Sequence, residues 1–146
     1  MKKGKKLIVC IVLSSLVLFI LYNVFWIGWR INKYSQYIDE FQTFTKYMSY
    51  FYDDDQYLYN VKLPDYLSYT GNLCVATHDG KYALLIWPKF GDEYEYGVQL
   101  EINKEVYSIM INKNIRTYDP QYQELISPYQ DTIEDLFNKA NEMWNI

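Results

Sequence analysis

The sequence predicts an α+β protein, and three observations carry that prediction. A run of 23 residues without charge, Leu7 to Trp29, follows four lysines. From Asn72 to Ile115 the apolar residues recur with a period of two, as in half-buried strands. After Ser127 they return to helical spacing. The expected order is an N-terminal transmembrane helix continuing into an amphipathic helix, a four-stranded antiparallel β-meander, and a C-terminal helix.

The first element is set by length and charge. At about 1.5 Å per residue, Leu7 to Trp29 makes a helix roughly 34 Å long, enough to cross a ~30 Å hydrocarbon core. A lone helix can do so because its backbone bonds are satisfied internally. Lys2, Lys3, Lys5 and Lys6 precede it, and Tyr22, Trp26 and Trp29 gather at its far end, as an interfacial aromatic belt would. Lysines are retained on the cytoplasmic side, so 1–6 reads as a cytoplasmic basic tail and 7–29 as a signal anchor. Residues 30–146 read as an extracytoplasmic α+β domain, where ten Lys and Arg face all eighteen Asp and Glu. A cleaved signal would end in small residues. Phe25, Trp26 and Trp29 stand there instead, so the anchor is expected to persist. Cys10 lies too early in the apolar run for a lipoprotein site.

Ile31, Tyr34, Ile38, Phe41, Thr45, Met48 and Tyr52 alternate in steps of three and four, which predicts a helix from Ile31 to about Tyr52. Asp53-Asp54-Asp55 would end it, since acidic groups oppose the dipole at a C-terminus. Tyr57 to Tyr69 reads as a turn at Leu63-Pro64-Asp65 with a short edge strand. Asp79-Gly80 predicts a hairpin pairing Thr77 with Tyr82, Val75 with Leu84 and Leu73 with Ile86. Tyr94–Asn103 and Val106–Ile111 form a second hairpin around Lys104-Glu105, with Tyr107, Ile109 and Ile111 joining the apolar face of Tyr96, Val98, Leu100 and Ile102. Ser127-Pro128 reads as a helix cap with Pro at the first helical position. Ile133, Leu136, Phe137, Ala140, Met143 and Trp144 follow on one helical face.

Composition bounds the function. Half the 146 residues are hydrophobic, 17 are Tyr, and the net charge is −4, which excludes a disordered chain and argues against nucleic-acid binding. Cys10 and Cys74 lie in different compartments and cannot pair within one molecule. No catalytic, cofactor or metal residues are expected. His78 is the single His and stands beside a turn. Asp53-Asp54-Asp55 fails the calcium-loop spacing, because Leu58 replaces Gly and Pro64 replaces the terminal Glu. Glu93, Glu95 and Glu101 show no distinct pairing.

Tyr is enriched in binding surfaces. Those expected in loops, Tyr57, Tyr59, Tyr118, Tyr122 and Tyr129, are the candidate contacts, together with Trp87 on the second sheet face beside Cys74, Ala76, Ala83 and Leu85. The helix at 31–52 is expected to cover the first face. The second is left to the C-terminal helix, to 57–69, or to a partner. The function expected is a single-pass binding or accessory module of a bacterial cell envelope, immunity-like or part of an envelope complex. Its partners would be the bilayer through 7–29 and a protein or cell-wall glycan. A small envelope enzyme is the weakest alternative. The long helix followed by a sheet also resembles type IV pilins in layout, and Gly4 follows basic residues as at a prepilin cleavage site. That resemblance implies a filament or secretion subunit. Val9 stands where the family has Glu, and Lys5 where it has an apolar residue.

Overall fold

A computed structural model describes residues 2–38, 41, 43–44, 49–91 and 93–146. It divides into two compact units, Met1–Ser35 and Gln36–Ile146. The first unit is the helix α1 (Lys2–Ser35), long and apolar enough to cross a membrane. Its apolar side chains from Leu7 to Leu21 point outward, Leu7 at 63% and Leu18 at 66% exposure, whereas Trp26 and Tyr34 are buried. Two polar groups within it turn back on the helix. The Asn23 side-chain amide donates to the Phe19 carbonyl at 2.7 Å, and the Arg30 guanidinium lies 5.2 Å from the Trp26 ring centroid.

The second unit is an antiparallel meander under one helix. Its strands run β1 (Thr43–Phe44), β2 (Ser49–Asp53), β3 (Tyr57–Lys62), β4 (Asn72–Thr77), β5 (Tyr82–Pro88), β6 (Tyr94–Ile102) and β7 (Glu105–Ile111), paired in chain order. β1 is a two-residue pairing at the edge. The other six are full strands, where four were expected.

The extra strands replace the expected amphipathic helix. α1 stops at Ser35, and Ser49–Asp53 is extended. Of the residues that suggested the helix, Thr45 and Met48 lie outside the described residues. Tyr50 and Tyr52 instead alternate with Phe51 and Asp53, and a short aromatic run fits either period. The ladder offered by Asn60, Tyr59 and Leu58 decides for strand, pairing them with Phe51, Tyr52 and Asp53. The helix expected to continue to about Tyr52 therefore ends at Ser35. Asp53-Asp54-Asp55 is a hairpin turn rather than a helix stop. Asp54 Oδ1 accepts from the Gln56 and Tyr57 amides at 3.0 and 2.6 Å, and Asp55 takes φ of 71°. β3, expected as a short edge strand, is interior and pairs on both sides.

The central hairpin has the expected register, with Leu73 opposite Ile86 and Val75 opposite Leu84. The β6–β7 turn falls one residue early, at Asn103 and Lys104, both with positive φ. Asn tolerates that conformation better than Glu, and paired positive φ matches a type I′ turn. Leu100 therefore faces Tyr107, and the apolar residues keep their common face.

After β7 a short α2 (Gln123–Ile126) leads through a 3₁₀ turn at Ser127–Tyr129 into α3 (Gln130–Trp144). The expected Ser127 cap does not form. Its hydroxyl donates back to the Gln123 carbonyl at 2.8 Å, because α2 already supplies a turn there. α3 buries Ile133, Leu136, Ala140 and Trp144 and packs on β4 and β5. The core beneath it is Leu73, Val75, Leu84, Ile86, Val98 and Leu100, each buried. The first sheet face is thus covered by α3, where a helix at 31–52 was expected. Trp144 closes one end, donating its indole N–H to the Tyr37 carbonyl at 3.1 Å and stacking against Phe41.

Gly71 occupies a place no side chain can enter, since a Cβ there would lie 2.0 Å from the Lys62 carbonyl oxygen. Gly71→Ala should therefore lower stability by roughly 2–4 kcal/mol through backbone displacement. Leu84→Ala should cost about 2–5 kcal/mol by leaving a cavity. Denaturant titration of the full chain in detergent, followed by circular dichroism, measures both.

Candidate functional site

Alternation puts every second residue of the sheet on the face away from α3. There Phe51, Leu58, Cys74, Leu85, Trp87, Met110 and Val106 form an apolar strip among polar neighbours, and Met110 and Val106 are exposed. Trp87 is opposite Glu95, and its ring reaches over Gly97. A Cβ on Gly97 would meet the six-membered ring at 3.0 Å, so the missing side chain is what admits the indole. Trp87, Met110, Thr70, Lys89 and Glu95 line a cleft of about 320 Å³. Its two charges are spent on each other, with Lys89 Nζ 2.7 Å from the Glu95 carboxylate.

The candidate tyrosines separate into two groups. Tyr57 and Tyr59 lie on interior β3, not in a loop, and both hydroxyls are occupied. Tyr57 donates to the Asp135 carboxylate on α3, and Tyr59 to Asp54 Oδ2 at 3.0 Å. The bond to Asp135, with burial, holds the Tyr57 phenol above its ordinary value. Burial, then Asp54, raises Tyr59 much further. Burial pushes Asp54 upward, but hydrogen bonds from the Tyr57 and Gln56 amides and the Tyr59 hydroxyl outweigh it and leave its carboxyl lowered. Lys139 lies 5.7 Å from the Tyr57 ring. This network ties the β2–β3 turn to α3, and gives these two residues a structural duty.

Tyr129 packs against Tyr82 at 5.5 Å between ring centroids. Tyr122 sits half-buried in the 3₁₀ turn at Pro120–Tyr122, its amide donating to the Asp119 carbonyl. His78 lies exposed, with Nε2 3.3 Å from Asp53 Oδ2.

Tyr118 is different. It is 68% exposed, and its backbone is held, the amide donating to the Met110 carbonyl at 3.3 Å. With Glu93, Tyr94, Tyr96, Asn112 and Lys113 it lines an open pocket of about 380 Å³. Asn112 Oδ1 accepts from the Asn114 and Arg116 amides at 2.9 and 3.2 Å, which folds the loop after β7 back on itself. Tyr94 shares a hydrogen bond with the Tyr37 hydroxyl at 3.2 Å. The Tyr96 ring lies 5.0 Å from Phe137 and 6.3 Å from Tyr94, and burial raises its phenol. Sequence reasoning found Tyr118 but placed Tyr96 in the core and left Tyr94 unassigned. Both lie on the face under α3, yet at its rim, where they remain half-buried. Trp87 and Tyr118 therefore mark separate depressions.

With this geometry in view, comparison with known proteins adds no relative: no protein-family model, no curated protein and no solved structure matches the chain.

Cys74 lies half-buried on the strip, and burial pushes its thiol up to about 11 from an ordinary 9.0. In a Cys10→Ala background, maleimide labelling of the native chain at pH 7.5 should run roughly 100-fold slower than in the unfolded chain. Rates within tenfold of each other would show an open thiol. The same shift has a sign for stability. Cys74 contributes fully below pH 9.0, and its contribution is lost as pH rises through about 11, because the unfolded thiol ionises first. Tyr57, Tyr59 and Tyr96 are raised as well and act in the same direction. Denaturation midpoints should hold steady near neutrality and fall above about pH 9.

Proposed function

We propose that the chain is a single-pass, membrane-anchored binding module of a bacterial cell envelope. α1 is its anchor, the N-terminus is cytoplasmic, and the sheet domain stands outside to bind a protein or a cell-wall glycan. The observation that carries the reading is α1 itself. It is a separate unit whose most apolar 18-residue window is 0% buried within the protein, so a bilayer is the solvent that suits its side chains.

Charge supports the direction. Four lysines precede the apolar run, and the residues beyond Trp29 carry an acidic excess. Recognition by the sheet domain is supported by the aromatic pocket around Tyr118, which combines an exposed ring with polar and charged groups. A shallow concavity with aromatic walls and a few convergent polar groups is a common form of binding site. The Lys89–Glu95 cleft at Trp87 is a second surface with less free polar chemistry.

Topology is the deciding test. Alkaline phosphatase fused after Ile146 should be active, green fluorescent protein in its place should stay dark, and the chain should remain in membranes washed with alkaline carbonate. An inactive phosphatase with a bright fluorescent fusion would reverse the orientation, and release by carbonate would remove the anchor.

A further inference from the structure

We infer that the pocket formed by Glu93, Tyr94, Tyr96, Asn112, Lys113 and Tyr118 binds a neutral sugar ring. The inference deepens the binding-module reading by naming the ligand class, and it rests on that reading for its biological setting.

The shape comes first. A volume of about 380 Å³ is large enough for a small ligand and lies at the low end of such sites, which run from ~300 to ~1,000 Å³. The walls are three phenol rings. A pyranose is two-sided chemically, with C–H groups on its faces and hydroxyls around its rim. The negative face of an aromatic ring attracts the slightly positive C–H groups and leaves the rim free. Tyr118 offers such a ring to solvent on a fixed backbone.

The rim chemistry fits a polyol. Asn112 spends its carbonyl oxygen on the loop, which leaves its NH₂ group as a donor. Lys113 supplies donors, Glu93 supplies acceptors, and each phenol can do either. Among the described residues neither Lys113 nor Glu93 belongs to an ion pair. The charges therefore remain available, and their opposite signs leave the pocket without a net preference for an anion or a cation. The Trp87 cleft lacks this property, because Lys89 and Glu95 already satisfy each other.

The site is also held in advance. Tyr37 fixes the Tyr94 hydroxyl, Phe137 backs Tyr96, and the Asn112 turn sets the loop carrying Lys113. Groups already in place lose little freedom on binding, which matters for a ligand as hydrated as a sugar.

The probe is chitotetraose, titrated calorimetrically into the full chain in detergent micelles, with maltotetraose alongside. Saturable heat at millimolar sugar or below is the expected result. Tyr118→Ala should weaken binding by roughly tenfold or more, while Tyr118→Phe retains most of it. Glu93→Gln with Lys113→Ala should weaken it too, and Trp87→Phe should leave it unchanged. Circular dichroism confirms that each variant is folded. Absence of saturable heat from both sugars would overturn the assignment. So would binding that survives Tyr118→Ala but is lost in Trp87→Phe, which would move the site to the other face. Binding in micelles does not depend on insertion direction. An inverted fusion topology would therefore overturn the orientation, and release by carbonate the anchor, each leaving this pocket standing, whereas a correct topology without sugar binding would overturn the pocket alone.

Discussion

One apolar layer, the contact between α3 and a single face of the sheet, governs the rest of the sheet domain. Leu73, Val75, Leu84, Ile86, Val98 and Leu100 lie under Ile133, Leu136 and Ala140, all buried. Each such Val, Leu or Ile side chain contributes about 1.5–3 kcal/mol by leaving water. The layer also enforces register. Strand side chains alternate, so a slip of one residue would turn the inward side chains of the slipped strand toward solvent, Val98 and Leu100 if that strand were β6. The β6–β7 turn falls one residue early without incurring that penalty. The pairing moves by two, and parity is kept.

The two candidate surfaces are by-products of the same arrangement. A meander with one helix covers one face, so the strip around Trp87 remains at the surface with Gly97 accommodating its ring. The covered face has a rim as well. Tyr94 and Tyr96 continue the inward row of β6 to its end, where Phe137 supports one ring and Tyr37 binds the other. Half-burial there leaves aromatic area and hydroxyls together within reach of a ligand. The loop after β7, folded around Asn112, completes the enclosure with Lys113 and Tyr118.

Tyr57 and Tyr59 show how one residue type serves opposite ends. Their hydroxyls are committed to Asp135 and Asp54; the first pair, 78 residues apart in the chain, joins the start of β3 to α3, and the second, five apart, holds the β2–β3 turn. A phenol with a carboxylate partner is a fastening, whereas Tyr118 presents an exposed ring on a fixed backbone. The abundance of tyrosine is thus partly structural and partly a surface property.

The sequence by itself determined what depends on near neighbours or on a uniform solvent. The apolar run of α1, long and apolar enough to cross a membrane, was legible because it is a continuous property of neighbouring residues. The hairpin at Asp79-Gly80, with Leu73 opposite Ile86, was legible because turn chemistry and alternation agree. The C-terminal helix was legible from one apolar face, although its start was not, because α2 absorbed Ser127. Tertiary structure alone decided the fate of 49–53 and 57–62. Their aromatic residues satisfy either period, and only the ladder between them, absent from any local window, selects strand. It decided equally that α3 covers the first face, and that Glu93, Tyr94, Tyr96, Asn112, Lys113 and Tyr118 meet in one pocket. Those residues come from two strand ends and a loop, and their proximity is set by sheet register and by where the helix cover stops, which no spacing along the chain records.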